Sequence, residues 1–271
     1  RSSLRHWHDG EDEFVYMLQG RVTLDEDSGR TILGPGDAAG FAAGRPNGHC
    51  LINESGAPAT YLVCGTRADR DVCHYSGLDM VNSFDGVTAR NTRRDGSPLP
   101  PPPADLSLPE APATILPSGR IDLAALPELS GSDYPEPHAS AMAARSWREL
   151  GDAAGLTQFG AVLYTIQPGG ASSLRHWHSD EDELVWVTDG ELVLVLNDGP
   201  HPLGPGRCAA FPKGLADGHH LRNRSTRPAS FLAFGARATQ DTCTYPDDDL
   251  VYHFDGKRAW FTRHDGTWVK G

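Results

Sequence analysis

The sequence predicts an all-β protein made of two tandem barrels, and three observations carry that expectation. The segment at residues 2–96 recurs at residues 172–266 with no break in register. Apolar and polar residues alternate over short runs separated by Gly, Pro, Asp and Asn. No long apolar period of 3.6 residues competes with that alternation, so helices are not expected to build the core.

Ser2-Ser3-Leu4-Arg5-His6-Trp7-His8 returns as Ser172-Ser173-Leu174-Arg175-His176-Trp177-His178. The same offset carries Glu13 to Glu183, Gly20 to Gly190, Gly48-His49 to Gly218-His219 and Asn53 to Asn223. It continues through Asp71-x-Cys73-x-Tyr75 and Asp241-x-Cys243-x-Tyr245 to Asp95-Gly96 and Asp265-Gly266. An in-register match of this length implies duplication, and a repeated unit is the first thing that decides a fold. Runs such as Glu191–Asn197 read as strands, and Asp189-Gly190 and Asp255-Gly256 read as hairpin turns.

The expected organisation is an N-terminal barrel over 1–96, a Pro-rich linker over 97–145 and a C-terminal barrel over 146–271. The linker contains Pro100-Pro101-Pro102-Pro103 and should run extended. Ser146-Trp147-Arg148-Glu149 has the spacing of a capping box, which predicts a short helical turn stopped by Gly151. Gly160–Ile166 predicts a strand. The first copy has few residues before its His-x-His, so its opening strands are missing. Either the sequence is a fragment of a longer protein, which is the preferred reading, or the linker supplies those strands.

A chain of 271 residues can bury two modest cores. A net charge of −12 gives no basic face for a phosphate backbone, so nucleic-acid binding is not expected. No apolar run is long enough to span a membrane. The five Cys are odd in number and include no Cys-x-x-Cys pair, which favours free thiols and a cytoplasmic location. Cys73 and Cys243 hold matching places, and burial is their simplest role.

His6 and His8 are two apart on an expected strand, so both imidazoles leave one face and Trp7 leaves the other. Glu13 follows a turn and can fold back beside them. His49 arrives from a distant strand. Three imidazoles and a carboxylate form a mixed nitrogen and oxygen set suited to Mn, Fe, Co, Ni, Cu or Zn, and unsuited to Ca or Mg. The second copy repeats the set as His176, His178, Glu183 and His219. One divalent transition metal per barrel is therefore expected, with Fe, Mn, Ni or Zn as the candidates. Asp12 and Asp182 are the alternatives to the glutamates. Arg5 and Arg175 should face away from the metal and form ion pairs. Asn53 and Asn223 face the cavity or brace a turn. The Asp-x-Cys-x-Tyr tail suggests a hairpin packed on the barrel and no chemistry.

These residues resemble the cupin superfamily. His-x-His, four residues, Glu, six residues, Gly is its first motif, met at His6–Gly20 and again at His176–Gly190. The second motif is matched more loosely, around Gly36–Asn53 and Gly206–Asn223, where Phe41-Ala42-Ala43-Gly44 replaces a Phe-Pro-x-Gly turn. The resemblance implies two double-stranded β-helix barrels, a metal in each and a small-molecule ligand. It implies a metal-dependent enzyme of dioxygenase or decarboxylase type, in which Glu13 and Glu183 act as ligand in one step and as base in another. A non-catalytic metabolite sensor and a sugar-phosphate isomerase are the alternatives. Cupins pair barrels through their sheets, so an internal pseudo-dimer or a homo-oligomer is also implied.

Overall fold

The structure is a computed structural model and describes residues 1–99 and 116–270. The Pro100–Pro103 run lies outside the described residues. The chain forms two compact units. One is Arg1–Ala125 with Leu150–Gln158, and the other is Leu126–Glu149 with Phe159–Gly271.

In the first unit the strands begin with β1 (His6–His8), β2 (Glu13–Gln19), β3 (Val22–Glu26), β4 (Gly29–Leu33) and β5 (Ala38–Phe41). They continue with β6 (His49–Ile52), β7 (Thr60–Gly65), β8 (Asp71–Tyr75), β9 (Val81–Phe84), β10 (Ala89–Thr92) and β11 (Arg120–Ile121). One sheet runs β10-β9-β8-β1-β6-β3-β4 and the other β11-β5-β2-β7. The inner faces carry the apolar members of each alternation: Val15 and Met17 from β2, Val22 and Leu24 from β3, Leu33, Ala39 and Leu51. Leu24 and Leu33 are fully buried, which stabilises the barrel by roughly 1.5–3 kcal/mol each.

The second unit holds β12 (Leu129–Ser130), the short helix α1 (His138–Ala141) and β13 (Arg145–Glu149). The helix α2 (Leu150–Ala154) belongs to the first unit. The second unit resumes with β14 (Phe159–Ile166), β15 (Trp177–His178), β16 (Glu183–Asp189), β17 (Leu192–Leu196) and β18 (Gly199–Leu203). Then come β19 (Cys208–Phe211), β20 (His220–Arg222), β21 (Ala229–Ala236), β22 (Asp241–Tyr245), β23 (Leu250–Phe254), β24 (Ala259–Thr262) and β25 (Trp268–Lys270). Three sheets result, β12-β13-β14-β21-β16-β19, β15-β22-β23-β24-β25 and β18-β17-β20. Val185, Val187, Leu192, Leu194, Leu203 and Leu221 form the core, and each is the repeat partner of a core residue in the first unit. The all-β, two-barrel expectation holds.

Gly20 and Gly190 close the first motif in each copy with φ of +74° and +73°. A Cβ there would lie 2.5 Å from the Pro58 oxygen, or 2.7 Å from Ala229 atoms, so both the left-handed backbone and the close approach require glycine.

The capping-box expectation is corrected. Arg145–Glu149 is strand β13, paired along its length with β14, Trp147 opposite Tyr164. Ser146 Oγ donates to the Glu128 carboxylate instead of capping a helix. The helical turn comes next, at Leu150–Ala154, and ends at Gly155 with φ +75°. Five paired residues of β14 outweigh one local cap. The Leu150–Gln158 segment packs within the first unit, where Asp12 accepts hydrogen bonds from the Thr157 and Gln158 amides at 2.6 and 2.8 Å.

Candidate metal centre

Strand β1 runs between β6 and β8, with His6 opposite both His49 and Tyr75, and His8 opposite Cys73. Residues directly opposite in an antiparallel pair leave the same face. His6, His8, His49, Cys73 and Tyr75 therefore share the inner face, and Trp7 leaves the other way to stack on His74 at 4.0 Å. Glu13 opens β2 in the facing sheet, so the site lies between the two sheets. Its Oε2 is 2.8 Å from His49 Nε2 and 3.8 Å from the Nε2 atoms of His6 and His8. The second unit repeats this: Glu183 Oε2 lies 2.8 Å from His219 Nε2 and 3.6 Å from those of His176 and His178.

These four side chains per barrel are the ones the sequence singled out, and the structure brings each set together. Ligands bonded at ~2.1 Å to one ion lie about 3.0–3.4 Å apart, so each cradle is one ion wide. The second nitrogens support the same reading. His6 Nδ1 donates to the Leu4 carbonyl at 2.8 Å, and His176 Nδ1 to Leu174 at 2.9 Å. His8 Nδ1 donates to Asp71 at 2.6 Å, and His178 Nδ1 to Asp241 at 2.5 Å. Each bond fixes the tautomer and aims a lone pair on Nε2 at the cluster. The third imidazole is held by stacking: His49 lies on Phe41 at 3.5 Å and His219 on Phe211 at 3.6 Å, both 2° from parallel. Their Nδ1 atoms are buried without a hydrogen-bond partner.

Charge is arranged to match. Burial opposes the carboxylate of Glu13, but the His49 hydrogen bond and the neighbouring imidazoles outweigh it and hold its pKa at about 2. Glu183 is likewise held well below the usual range by His176 and His219 against its burial. Burial opposes the charged form of His8, yet hydrogen bonds to Cys73 and Asp71 raise it to about 10. His178, bonded to Asp241 and Cys243, rises to about 11 against the same opposition. Burial pushes Glu181 up to about 7.

The other sequence candidates fall elsewhere. Asp12 Oδ1 accepts from the Ala43 amide at 2.7 Å and Asp182 Oδ1 from Lys213 at 2.8 Å, so both brace loops. Arg5 pairs with Asp27 at 3.0 Å and Arg175 with Asp247 at 2.5 Å, as parity predicted. Asn53 and Asn223 brace turns through the Ala57 and Arg227 carbonyls. The sequence reading missed Asp71, Asp241, Phe41, Phe211 and Glu181. The aspartates and phenylalanines had a signal, because each recurs at the repeat offset with inward parity, whereas Glu181 recurs as Glu11 but lies in the loop before β16, where parity gives no direction.

In the second unit the cluster opens on a cavity of about 320 Å³ lined by Arg145, Ser172, Ser173, Tyr134 and Phe261 beside the four candidate ligands. A second cavity of about 290 Å³ shares His178, Glu183 and His219 and adds Glu181 and Trp177. Among the described residues, no helix is long and apolar enough to cross a membrane.

The Cupin domain matches residues 1–65 and 162–235, half of the chain. A solved sugar phosphate isomerase from a cupin superfamily, from Silicibacter pomeroyi, is 46% identical, covering 56% of this chain and 96% of its own, with a TM-score of 0.54. A variant of salicylate 1,2-dioxygenase from Pseudoaminobacter salicylatoxidans covers 86% of this chain and 66% of its own at 13% identity and a TM-score of 0.56, a likeness of fold alone. Protein SchB of Streptomyces halstedii is 36% identical over 70 residues, 26% of this chain. That match spans about half the length of SchB, 49%.

Proposed function

The chain belongs to the cupin family, and from that premise we propose that it is a metal-dependent enzyme with a divalent transition-metal centre in each barrel. Its substrate is a small phosphorylated sugar, held in the second barrel, and its reaction an aldose–ketose isomerisation. The observation that carries the metal reading is the convergence of three Nε2 atoms and one carboxylate oxygen in both copies. The likeness to the Silicibacter pomeroyi protein supports the substrate class. The salicylate dioxygenase, which carries the oxidative chemistry expected from the sequence, is likened in fold alone at 13% identity.

His176, His178, His219 and Glu183 would hold the ion, and their first-barrel partners His6, His8, His49 and Glu13 a second. A bound ion supplies Lewis acidity to a substrate carbonyl. The chain's own groups do the rest. Arg145 presents a guanidinium to the cavity, and the fork suits a phosphate. Tyr134, Tyr245 and Phe261 line its wall with aromatic rings. Isomerisation takes a proton from the carbon beside the carbonyl and returns it to the neighbouring carbon. Glu181 borders the second cavity, which shares His178, Glu183 and His219 with the first, and with burial pushing its carboxyl up to about 7 it is the group offered to carry that proton from that side near neutral pH. Glu183 is the second candidate base, the role expected for Glu13 in the first barrel.

The test is metal content by mass spectrometry on protein purified without chelator, beside His6→Ala and His176→Ala, with a coupled assay on aldose phosphates. One ion per barrel is expected, with one lost in each variant and activity lost in His176→Ala. Substoichiometric metal that does not rise on adding Zn, Mn, Fe or Ni would sink the metal reading. Full metal without turnover of any sugar phosphate would sink the isomerase reading alone.

A further inference from the structure

The Asp-x-Cys-x-Tyr strand recurs in both copies, lies outside the matched Cupin domain and had no chemical role in the sequence reading. In the structure it forms one wall of the site. β8 and β22 each run antiparallel beside the His-x-His strand, with Cys73 directly opposite His8 and Cys243 directly opposite His178. Parity then sets all three side chains of the motif on the inner face. Asp71 and Asp241 are spent on the Nδ1 atoms of His8 and His178. Tyr75 and Tyr245 lie against His6 and His176, with ring centroids 6.3 and 6.0 Å apart. The thiol lies between them, in hydrogen-bonding reach of the histidine and of the tyrosine. Its sulfur and one nitrogen of each His in the pair all lie within 4.8 Å of one another, in the first barrel and again in the second.

Three further observations bear on these thiols. Cys73 and Cys243 are 7% and 2% exposed, so the sulfur is shielded from oxidants and from bulk water. Cys243 borders the same cavity as His176, His178, Glu183 and His219. The other cysteines do not recur: the repeat partners of Cys50, Cys64 and Cys208 are His220, Phe234 and Ala38. Only the two sulfurs beside the imidazoles kept their place after duplication.

We propose that Cys73 and Cys243 are metal donors, making each centre a three-histidine, one-glutamate, one-cysteine site. The inference rests on the metal-centre reading above. On coordination the S–H bond breaks, a metal–sulfur bond forms and the proton leaves to solvent, with no redox change. A thiolate among the donors draws the site toward thiophilic ions such as Zn, Co and Ni, and away from Mn. The Asp and Cys of one strand thus divide the work, the carboxylate orienting an imidazole and the sulfur binding the ion.

Cobalt(II) reports a sulfur donor directly, because thiolate ligation adds a sulfur-to-cobalt charge-transfer absorption in the near ultraviolet. The experiment titrates metal-stripped full chain with Co(II), measuring bound cobalt and the spectrum together. The wild-type protein should bind one Co(II) per barrel and show the band. Cys73→Ser and Cys243→Ser should each remove about half of it, and the double variant all of it. Cys208→Ser, at an exposed strand position, should leave it intact. Zn affinity should fall more than Mn affinity in the double variant. Cobalt bound at full stoichiometry with no band in the wild-type protein overturns the thiolate donor, leaves the metal reading standing and needs no variant to fold. No cobalt bound at all overturns both.

Discussion

In the second barrel the Asp241–Tyr245 strand is backed by Leu250 and Phe261 and covered by Tyr134 and Tyr252. The matching positions in the first barrel are Met80, Asn91 and Asn82, and there Asn82 donates to Asn91 across an exposed hairpin. The candidate ligands, the orienting aspartates, the stacked phenylalanines and the buried thiols are the same in both. Glu11 and Glu181 also match in sequence, yet the first accepts the Ala68 amide while the second borders a cavity beside Glu183. Duplication preserved the candidate ligands and their supports and let the covering diverge. On the proposed reading both barrels bind metal, and the second carries the reaction.

The sharpest way to break that division is Glu181→Gln against Glu11→Gln. The first should lower kcat by about 10²–10⁴ with metal content and KM little changed, and the second should leave turnover as it was. Equal effects would show that the barrels are not specialised. Next in size is the hairpin. Phe261→Ala should cost about 3 kcal/mol in denaturant unfolding, as expected for an emptied aromatic site. Asn91→Ala, on the exposed counterpart, should change stability by less than about 0.5 kcal/mol.

Asp71→Asn and Asp241→Asn test what the barrels share. Each should weaken metal affinity of its own barrel by about 10–100-fold, seen by competition with a chromophoric chelator. A loss confined to one barrel would argue that the other keeps its histidines for another purpose. The smallest effect is in pH. In metal-stripped protein Glu13 is at about 2 against 4.5 when free, so its contribution is present above 4.5 and lost as pH falls through 2. His8 is at about 10 against 6.5, so its contribution is present below 6.5 and lost as pH rises through 10. Thermal melts of the stripped protein should peak between about pH 4.5 and 6.5. The basic limb should extend further for the second barrel, where His178 lies at about 11.

Much of the site was legible because its information is local. His6 and His8 sit two apart on a strand, and a period of two decides which way they point. The repeat then separated meaningful positions from chance ones. What escaped was the partner of each imidazole. Asp71 is 63 residues from His8, and the pairing of β1 with β8 that brings them together has no trace in either strand alone. Glu181 escaped for another reason: its sequence context matches that of Glu11, and only the cavity it borders in the second unit marks it out.

The misread turn at Ser146–Glu149 shows the same limit from the fold side. A capping box is a local preference worth about 1 kcal/mol, and β14 offered the segment a full ladder. Sequence alone determined the duplication, the all-β class, the barrel cores and the identity of the four candidate ligands in each copy, because periodicity and spacing are properties of neighbours along the chain. Tertiary structure decided which groups orient and stack on the imidazoles, where the thiols face, which unit Leu150–Gln158 joins and that burial raises Glu181 to about 7. Those outcomes depend on burial and on strand pairing between distant segments, and neither exists until the sheets have closed.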